Sequence, residues 1–122
     1  MPNAIISGTG FFVTPRVVTN LEMTTMYETS DEWIRERSGI SERRWVEEGT
    51  GPSDLAVPAL EMALEDAGIT RDEIDFVIFA TLSPEAWFPG SGCFLQAKMG
   101  LGTIGILDVR QQCTGFVYAL SI

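Results

Sequence analysis

Histidine is absent from this sequence of 122 residues. A nucleophile that borrows its proton carrier from a neighbouring imidazole finds none within these residues. Cysteine is scarce, with only Cys93 and Cys113. That excludes a disulfide framework and a cysteine metal cage, and it points to a reducing, cytoplasmic compartment. The two cysteines are also too far apart for a dithiol redox motif, which disfavours a thiol redox protein. Basic residues number 8 against 17 acidic ones, for a net charge of −9. Neither nucleic acid nor an anionic membrane surface is therefore expected as a partner. No apolar run reaches membrane-spanning length. The opening Met1-Pro2-Asn3 has no basic region, so no secretory leader is expected. Internal repeats and low-complexity tracts are also missing. The length and an apolar share of 45% suit one globular domain spanning residues 1–122.

What is present gathers toward the end of the chain. Ile106-Leu107-Asp108-Val109 reads as the end of a short strand, Arg110-Gln111-Gln112 as a polar turn, and Cys113 follows. Thr114-Gly115 then opens an apolar run from Phe116 to Ile122 that reads as a helix. A thiol where a strand hands over to a helix lies among helix N-terminal N–H groups, which favour the thiolate and are placed to hold an oxyanion. The alternative is a small buried hydrophobe, the fate of most free cysteines. The final run carries no cap, glycine or polar residue at its end and is apolar all round, the pattern of a buried helix. It is expected to be a helix interrupted at Ile122, in the front part of a longer protein.

Ahead of this stretch, Ala4 to Val13 reads as a strand running into a glycine bend. Gly8-Thr9-Gly10 lacks the third glycine of a dinucleotide fingerprint and fits close backbone packing better. Asn20 is the expected cap of a helix over Leu21–Tyr27. Thr29 and Glu32 have the spacing of a capping box on a helix ended by Gly39. On that helix Trp33 and Arg37 are four apart, hence on one face about 6 Å apart. An indole beside a guanidinium makes a slot for a flat, electron-rich ring such as a purine; a tryptophan packed under an arginine stem gives the same pattern. Arg35, Arg37, Arg43 and Arg44 form a basic cluster suited to phosphate groups, or one consumed by Glu36, Glu42, Glu47 and Glu48.

Ser53 is the expected cap of an alanine-rich helix closed by Gly68, and Thr70/Glu73 form a second capping box. The nearly continuous apolar run Ile74–Leu82 fits a parallel strand covered on both faces. Ser83 to Gly90 is a stiff loop exposing Trp87 and Phe88, which suggests contact with another subunit or an apolar ligand. Ser91 is read as the cap of a helix that holds Cys93 on its core face, and Ile104–Val109 as the last strand. Strands alternating with helices predict an α/β layer with a mostly parallel sheet and helices on both faces. Such sheets bear their sites at the carboxyl ends of strands, where Cys113 lies.

These residues, taken in order, resemble the N-terminal part of a β-ketoacyl-acyl carrier protein synthase III, of the thiolase superfamily. The resemblance is carried by Ile6–Gly10, Pro15–Asn20, Thr29-Ser30-Asp31-Glu32-Trp33-Ile34, Arg37–Ile40, Glu42-Arg43, Ala63–Gly68, Ile74-Asp75, Ala80-Thr81, Phe88-Pro89, Leu101-Gly102 and Cys113-Thr114-Gly115-Phe116. It implies a thiolase-like fold and a cysteine, here Cys113, that takes an acyl group from acyl-coenzyme A. Malonyl-acyl carrier protein then condenses with that group as it loses carbon dioxide. Coenzyme A is on this view part of a substrate, with no separate cofactor and no metal. The resemblance further implies that Trp33 and Arg37 sandwich the adenine with Thr29 beside it. It implies a homodimer in which Phe88 lines the partner's acyl pocket and the strand before the cysteine pairs across the two-fold axis.

Where many members carry small residues before the cysteine, this chain has Gln111 and Gln112, a difference that bears on the starter unit. The family's His and Asn belong to the second half of the fold, so these residues hold the nucleophile without the partners that complete a turnover. Type III polyketide synthases, 3-hydroxy-3-methylglutaryl-coenzyme A synthases and alkylquinolone-type enzymes share the cysteine turn. The alternative class is a non-catalytic thiolase-like interaction module.

Overall fold

The computed structural model describes residues 4–122; Met1-Pro2-Asn3, read above for the lack of a leader, lie outside them. The described chain forms two compact units, Val13–Thr50 and the remainder, residues 4–12 with Gly51–Ile122.

Val13–Thr50 is built on a short antiparallel pair, β1 (Val17–Thr19) and β2 (Glu42–Arg44), with Val18 opposite Arg43. Two helices lie between them, α1 (Asn20–Met23) and α2 (Asp31–Ser38). Val18 is fully buried. The expected cap moves by one residue at both helices. Thr19, not Asn20, caps α1 by accepting from the Glu22 N–H, and α1 is one turn long where Leu21–Tyr27 is expected. Asn20 is 1% exposed and serves the unit's interior. Its amide donates to Asp31 and to the Ile40 carbonyl, and its oxygen accepts from Arg43. Ser30, not Thr29, caps α2, which puts Trp33 rather than Glu32 at the third helical position and dissolves the expected capping box. Gly39, at φ 71°, ends α2 as expected.

The other unit has the order α3 (Pro52–Ala67), β3 (Phe76–Ala80), α4 (Ser91–Met99), β4 (Gly105–Val109), α5 (Gly115–Ser121). β3 and β4 are parallel, with Phe76 opposite Gly105 and Ala80 opposite Val109. Side chains alternate across a strand, and the two faces of this pair meet different helices. Val77 and Phe79 pack against Leu95 and Met99 of α4 and against Leu101, a cluster that Ile104 and Ala56, Val57, Leu60 and Leu64 of α3 also meet. Ala80 points the other way and meets Gly115 at the start of α5. Helices on both faces of a parallel pair are what the alternating apolar pattern predicts.

Four details differ from expectation. The Ile74–Leu82 run forms a five-residue strand, and it is not covered throughout, since Phe76 is 54% exposed. Residues 4–13 form no strand. A strand needs a hydrogen-bonding neighbour, and this segment instead seats its backbone on α3. A Cβ on Gly10 would lie 2.0 Å from the Ala59 carbonyl, one on Gly8 2.4 Å from that of Ala63, and the Thr9 N–H donates to Asp66. That bears out close packing as the reason for the two glycines. The caps of α3 and α4 are Gly51 and Gly90, two residues ahead of the expected Ser53 and one ahead of the expected Ser91, both of which are fully buried. Cys93 is half-buried rather than core. By contrast the Thr70/Glu73 box forms, the Glu73 carboxylate accepting from the Thr70 N–H and hydroxyl. α5 leaves Phe116, Val117, Tyr118 and Leu120 exposed, as expected of an apolar helix with little to cover it.

Candidate functional site

The parallel pair sets the position of the cysteine. β3 and β4 run side by side and end together at Ala80 and Val109. Beyond Val109 the chain turns through Gln112-Cys113-Thr114, closed by the Gly115 N–H donating to the Gln112 carbonyl at 2.9 Å. Gly115 is buried, and a Cβ there would stand 3.7 Å from that of Ala80, so the start of α5 seats on the end of β3. Cys113 is exposed in this turn, immediately before the α5 cap Thr114. The burial that would make it a structural thiol is absent. Among the described residues no group of acidic, cysteine or histidine side chains is arranged to hold a metal ion.

The loop between β3 and α4 lies at the same end of these strands. Trp87 and Phe88 are 74% and 90% exposed on it, and Phe88-Pro89 is a cis peptide. Sequence reading placed these aromatics on a stiff loop without showing what stiffens it. Glu85 is the first anchor. Its carboxylate accepts from the buried Ser53 hydroxyl and N–H, and Lys98 reaches Ser53 Oγ and Asp54 at 2.6 Å each. Burial pushes the Glu85 carboxyl up, but the hydrogen bonds from Ser53 and Ser91 outweigh it and hold the group below its ordinary value. Asp54 is held down first by Lys98 and then by the Gly51 N–H, and Lys98 is raised chiefly by Asp54. The second anchor is Asp108, which accepts from the Gly92 N–H at 3.1 Å. The third is Arg110, stacked on Trp87. None of these partners is near its mate in sequence, so no local spacing rule finds them. The one legible sign was that Ser53 and Ser91 each stand at a helix start.

Thr29, Trp33 and Arg37 belong to the Val13–Thr50 unit. A hollow of about 350 Å³ there is lined by Glu28, Thr29, Ser30 and Trp33. Trp33 is 55% exposed, so its ring is available as a wall. Thr29 Oγ is buried and has no hydrogen-bond partner among the described residues. An unpaired buried hydroxyl is costly and leaves a hydrogen-bonding atom for a ligand or a water to satisfy. Arg37 is exposed one turn further along α2, does not line the hollow, and makes no ion pair among the described residues. The other members of the basic cluster are engaged: Arg35 with Asp31, Arg43 with Asn20, and Arg44 with Glu42. Of the acidic partners expected for them, only Glu42 is used. A larger apolar hollow of about 590 Å³ runs along β3 between α3 and Phe116 and includes neither Cys113 nor Phe88.

No family model matches the chain. Individual proteins do. The beta-ketoacyl-[acyl-carrier-protein] synthase III of Xanthomonas campestris is 47% identical over 117 residues, 96% of this chain and 36% of that protein. The enzyme of the same name from Ehrlichia canis is 43% identical over all 122 residues, 38% of its length. The crystal structure of the synthase III of Aquifex aeolicus superposes with a TM-score of 0.89 at 39% identity, over 95% of this chain and 37% of that one. A priming beta-ketosynthase of the R1128 polyketide pathway gives a TM-score of 0.89 at 33% identity, over 95% and 35%. The chain thus spans about a third of the length of the proteins it matches. Over the length shared, sequence and fold alike are similar to proteins named β-ketoacyl-[acyl-carrier-protein] synthase III.

Proposed function

We propose that the complete polypeptide carrying this sequence is a condensing enzyme that starts fatty acid or polyketide chains. Cys113 is its nucleophile. The sulfur attacks the carbonyl of an acyl-coenzyme A thioester, coenzyme A leaves as the thiol, and the acyl group stays on Cys113. Malonyl-acyl carrier protein then loses carbon dioxide, its carbanion attacks the new thioester, and the Cys113 thiolate leaves. The observation that carries this reading is the exposed Cys113 in a turn at the carboxyl ends of two parallel strands.

Coenzyme A recognition falls to the Val13–Thr50 unit. The adenine stacks on Trp33, the partnerless Thr29 hydroxyl takes one of its polar atoms, and the uncommitted Arg37 guanidinium serves a phosphate. We further propose a cytoplasmic homodimer. β4 has one edge paired to β3, and among the described residues no strand covers the other, which suits pairing with a second copy. The 90% exposure of Phe88 supports its reaching a partner's acyl site. The reading is tested by intact-mass analysis after incubation with acetyl-, isobutyryl- and octanoyl-coenzyme A. One acyl group should appear on Cys113 and none on a Cys113→Ala variant. An unmodified wild-type protein with every donor would overturn it.

A further inference from the structure

We infer that Arg110 is a positioning residue that latches the 83–90 loop to the nucleophile turn and so sets which acyl donors Cys113 accepts. The inference rests on the proposed acyl transfer for its consequence, though not for its geometry. The two ends of the loop are fixed independently of Arg110. At one end Glu85 is held by Ser53, and its own N–H donates to Ser91 Oγ. At the other, Asp108 takes the Gly92 N–H, and Gly90 and Gly92 lie so close that a Cβ on either would come within 2.8 Å of the Asp108 carboxylate. Between these ends, Trp87 and Phe88 are exposed, and Arg110 is the only side chain found holding either of them among the described residues.

Arg110 grips Trp87 twice. Its guanidinium stands 4.6 Å from the centre of the indole, and Nη2 donates to the Trp87 carbonyl oxygen. That oxygen belongs to the peptide plane joining Trp87 to Phe88. Fixing the plane fixes where the Phe88 N and Cα stand, because the peptide unit is rigid. Arg110 makes no ion pair among the described residues, so its charge is not committed to a carboxylate. It is also the first residue after β4 and three residues before Cys113. A movement of the aromatic loop is therefore transmitted to the chain that carries the nucleophile, and the reverse. Lysine would keep the charge over the ring but not the planar fork that serves ring and carbonyl together.

Limited chymotrypsin digestion of the complete polypeptide tests the latch itself. Arg110→Ala should speed cleavage after Trp87 about tenfold, the loss of one cation–π contact and one charged hydrogen bond that hold the loop. Hydrogen exchange of the Gly92 amide and of the Thr81 amide, which bonds to Val109, should not change. Unchanged cleavage after Trp87 overturns the latch. Acylation of Cys113 tests its consequence. Arg110→Ala should shift the ratio of rates for acetyl- and octanoyl-coenzyme A about fivefold or more, with Arg110→Lys between it and wild type. Trp87→Phe, which keeps a ring and the carbonyl, should stay close to wild type. An equal loss with both donors overturns the link to donor choice. Absence of any acyl adduct on the wild-type protein overturns the proposed function and the donor claim with it, while the cleavage rate still decides whether the loop is latched.

Discussion

At the scale of single residues, Trp33 gives the sharpest separation between a binding wall and a packing residue. Its ring is more than half exposed beside a hollow that also holds the unpaired Thr29 hydroxyl. A base stacked on an aromatic ring is worth roughly 1–3 kcal/mol, so Trp33→Ala should raise KM for a coenzyme A thioester about tenfold. With acyl-N-acetylcysteamine, which has no adenine, the same change should leave the rate within about twofold, because uniform binding of a remote group is all that is lost. Steady-state acylation with the two donors side by side checks this; equal losses would remove Trp33 from coenzyme A recognition. Trp33 was legible because a helix face can be counted from sequence. Arg37 was only half legible. Spacing put it on the same face but could not show that the hollow is lined by Glu28, Thr29, Ser30 and Trp33 without it. Asn20 was misread for a different reason. A cap-forming residue type looks the same in sequence whether it caps a helix or, as here, joins Asp31, Ile40 and Arg43, which lie 11, 20 and 23 positions away.

Elements were legible where the signal is local and illegible where it is not. α2 and α3 end at the glycines expected of them, Gly39 and Gly68, each with positive φ. The first residues of α2 and α4 were placed one position off and that of α3 two, since Thr, Ser and Gly close together offer several competing caps. The strand expected over residues 4–13 has apolar residues at both ends but no ladder partner among the described residues. The close seating of its Gly8 and Gly10 on α3 was the part that composition could suggest. Gly10→Ala puts a Cβ 2.0 Å from the Ala59 carbonyl, and this is backbone that cannot swing aside. Overpacking of this kind costs about 1–3 kcal/mol, and a matching fall in the urea midpoint is expected. Gly102→Ala is the control. A Cβ there meets nothing within 4 Å and the backbone is not left-handed, so stability should hold or rise by about 0.4–1 kcal/mol. Equal effects from the two changes would mean that residues 4–12 do not seat on α3.

At the scale of the molecule, the α/β layer and the position of Cys113 at its carboxyl end were legible from the order of apolar runs, while the division into two units was not. The short β1–β2 pair that organises the smaller unit is only three residues per strand, too brief for any periodicity to register. Charge, by contrast, is read directly from sequence, and it interacts with the fold in a way that fixes a pH dependence. The net charge of −9 means that mild acidification relieves self-repulsion. Against this stand Asp31, Asp54, Glu73 and Glu85, all held below their ordinary values by hydrogen bonds from Asn20, Lys98, Thr70 and Ser53 respectively, among others. A carboxyl whose value is lower in the folded state contributes stability that is complete above its unfolded value and is lost as pH falls through the folded one. For this set the loss begins near the ordinary values of 3.8 for aspartate and 4.5 for glutamate and continues below them. Lys98 is raised above its ordinary 10.5, so its contribution is complete below that value and is lost only as pH rises past it. Stability should therefore hold between about pH 5 and 8, the usual interval for such linkage, and fall on the acid side despite the easing of net charge. Asp54→Asn keeps the shape of the side chain and removes its titration, so its acid limb should be shallower than that of the wild type while its stability at neutral pH is lower. Urea midpoints for both proteins from pH 3 to 8 measure this. Parallel curves would show that the Asp54 contact with Lys98, which ties α3 to α4, does not contribute to the folded state.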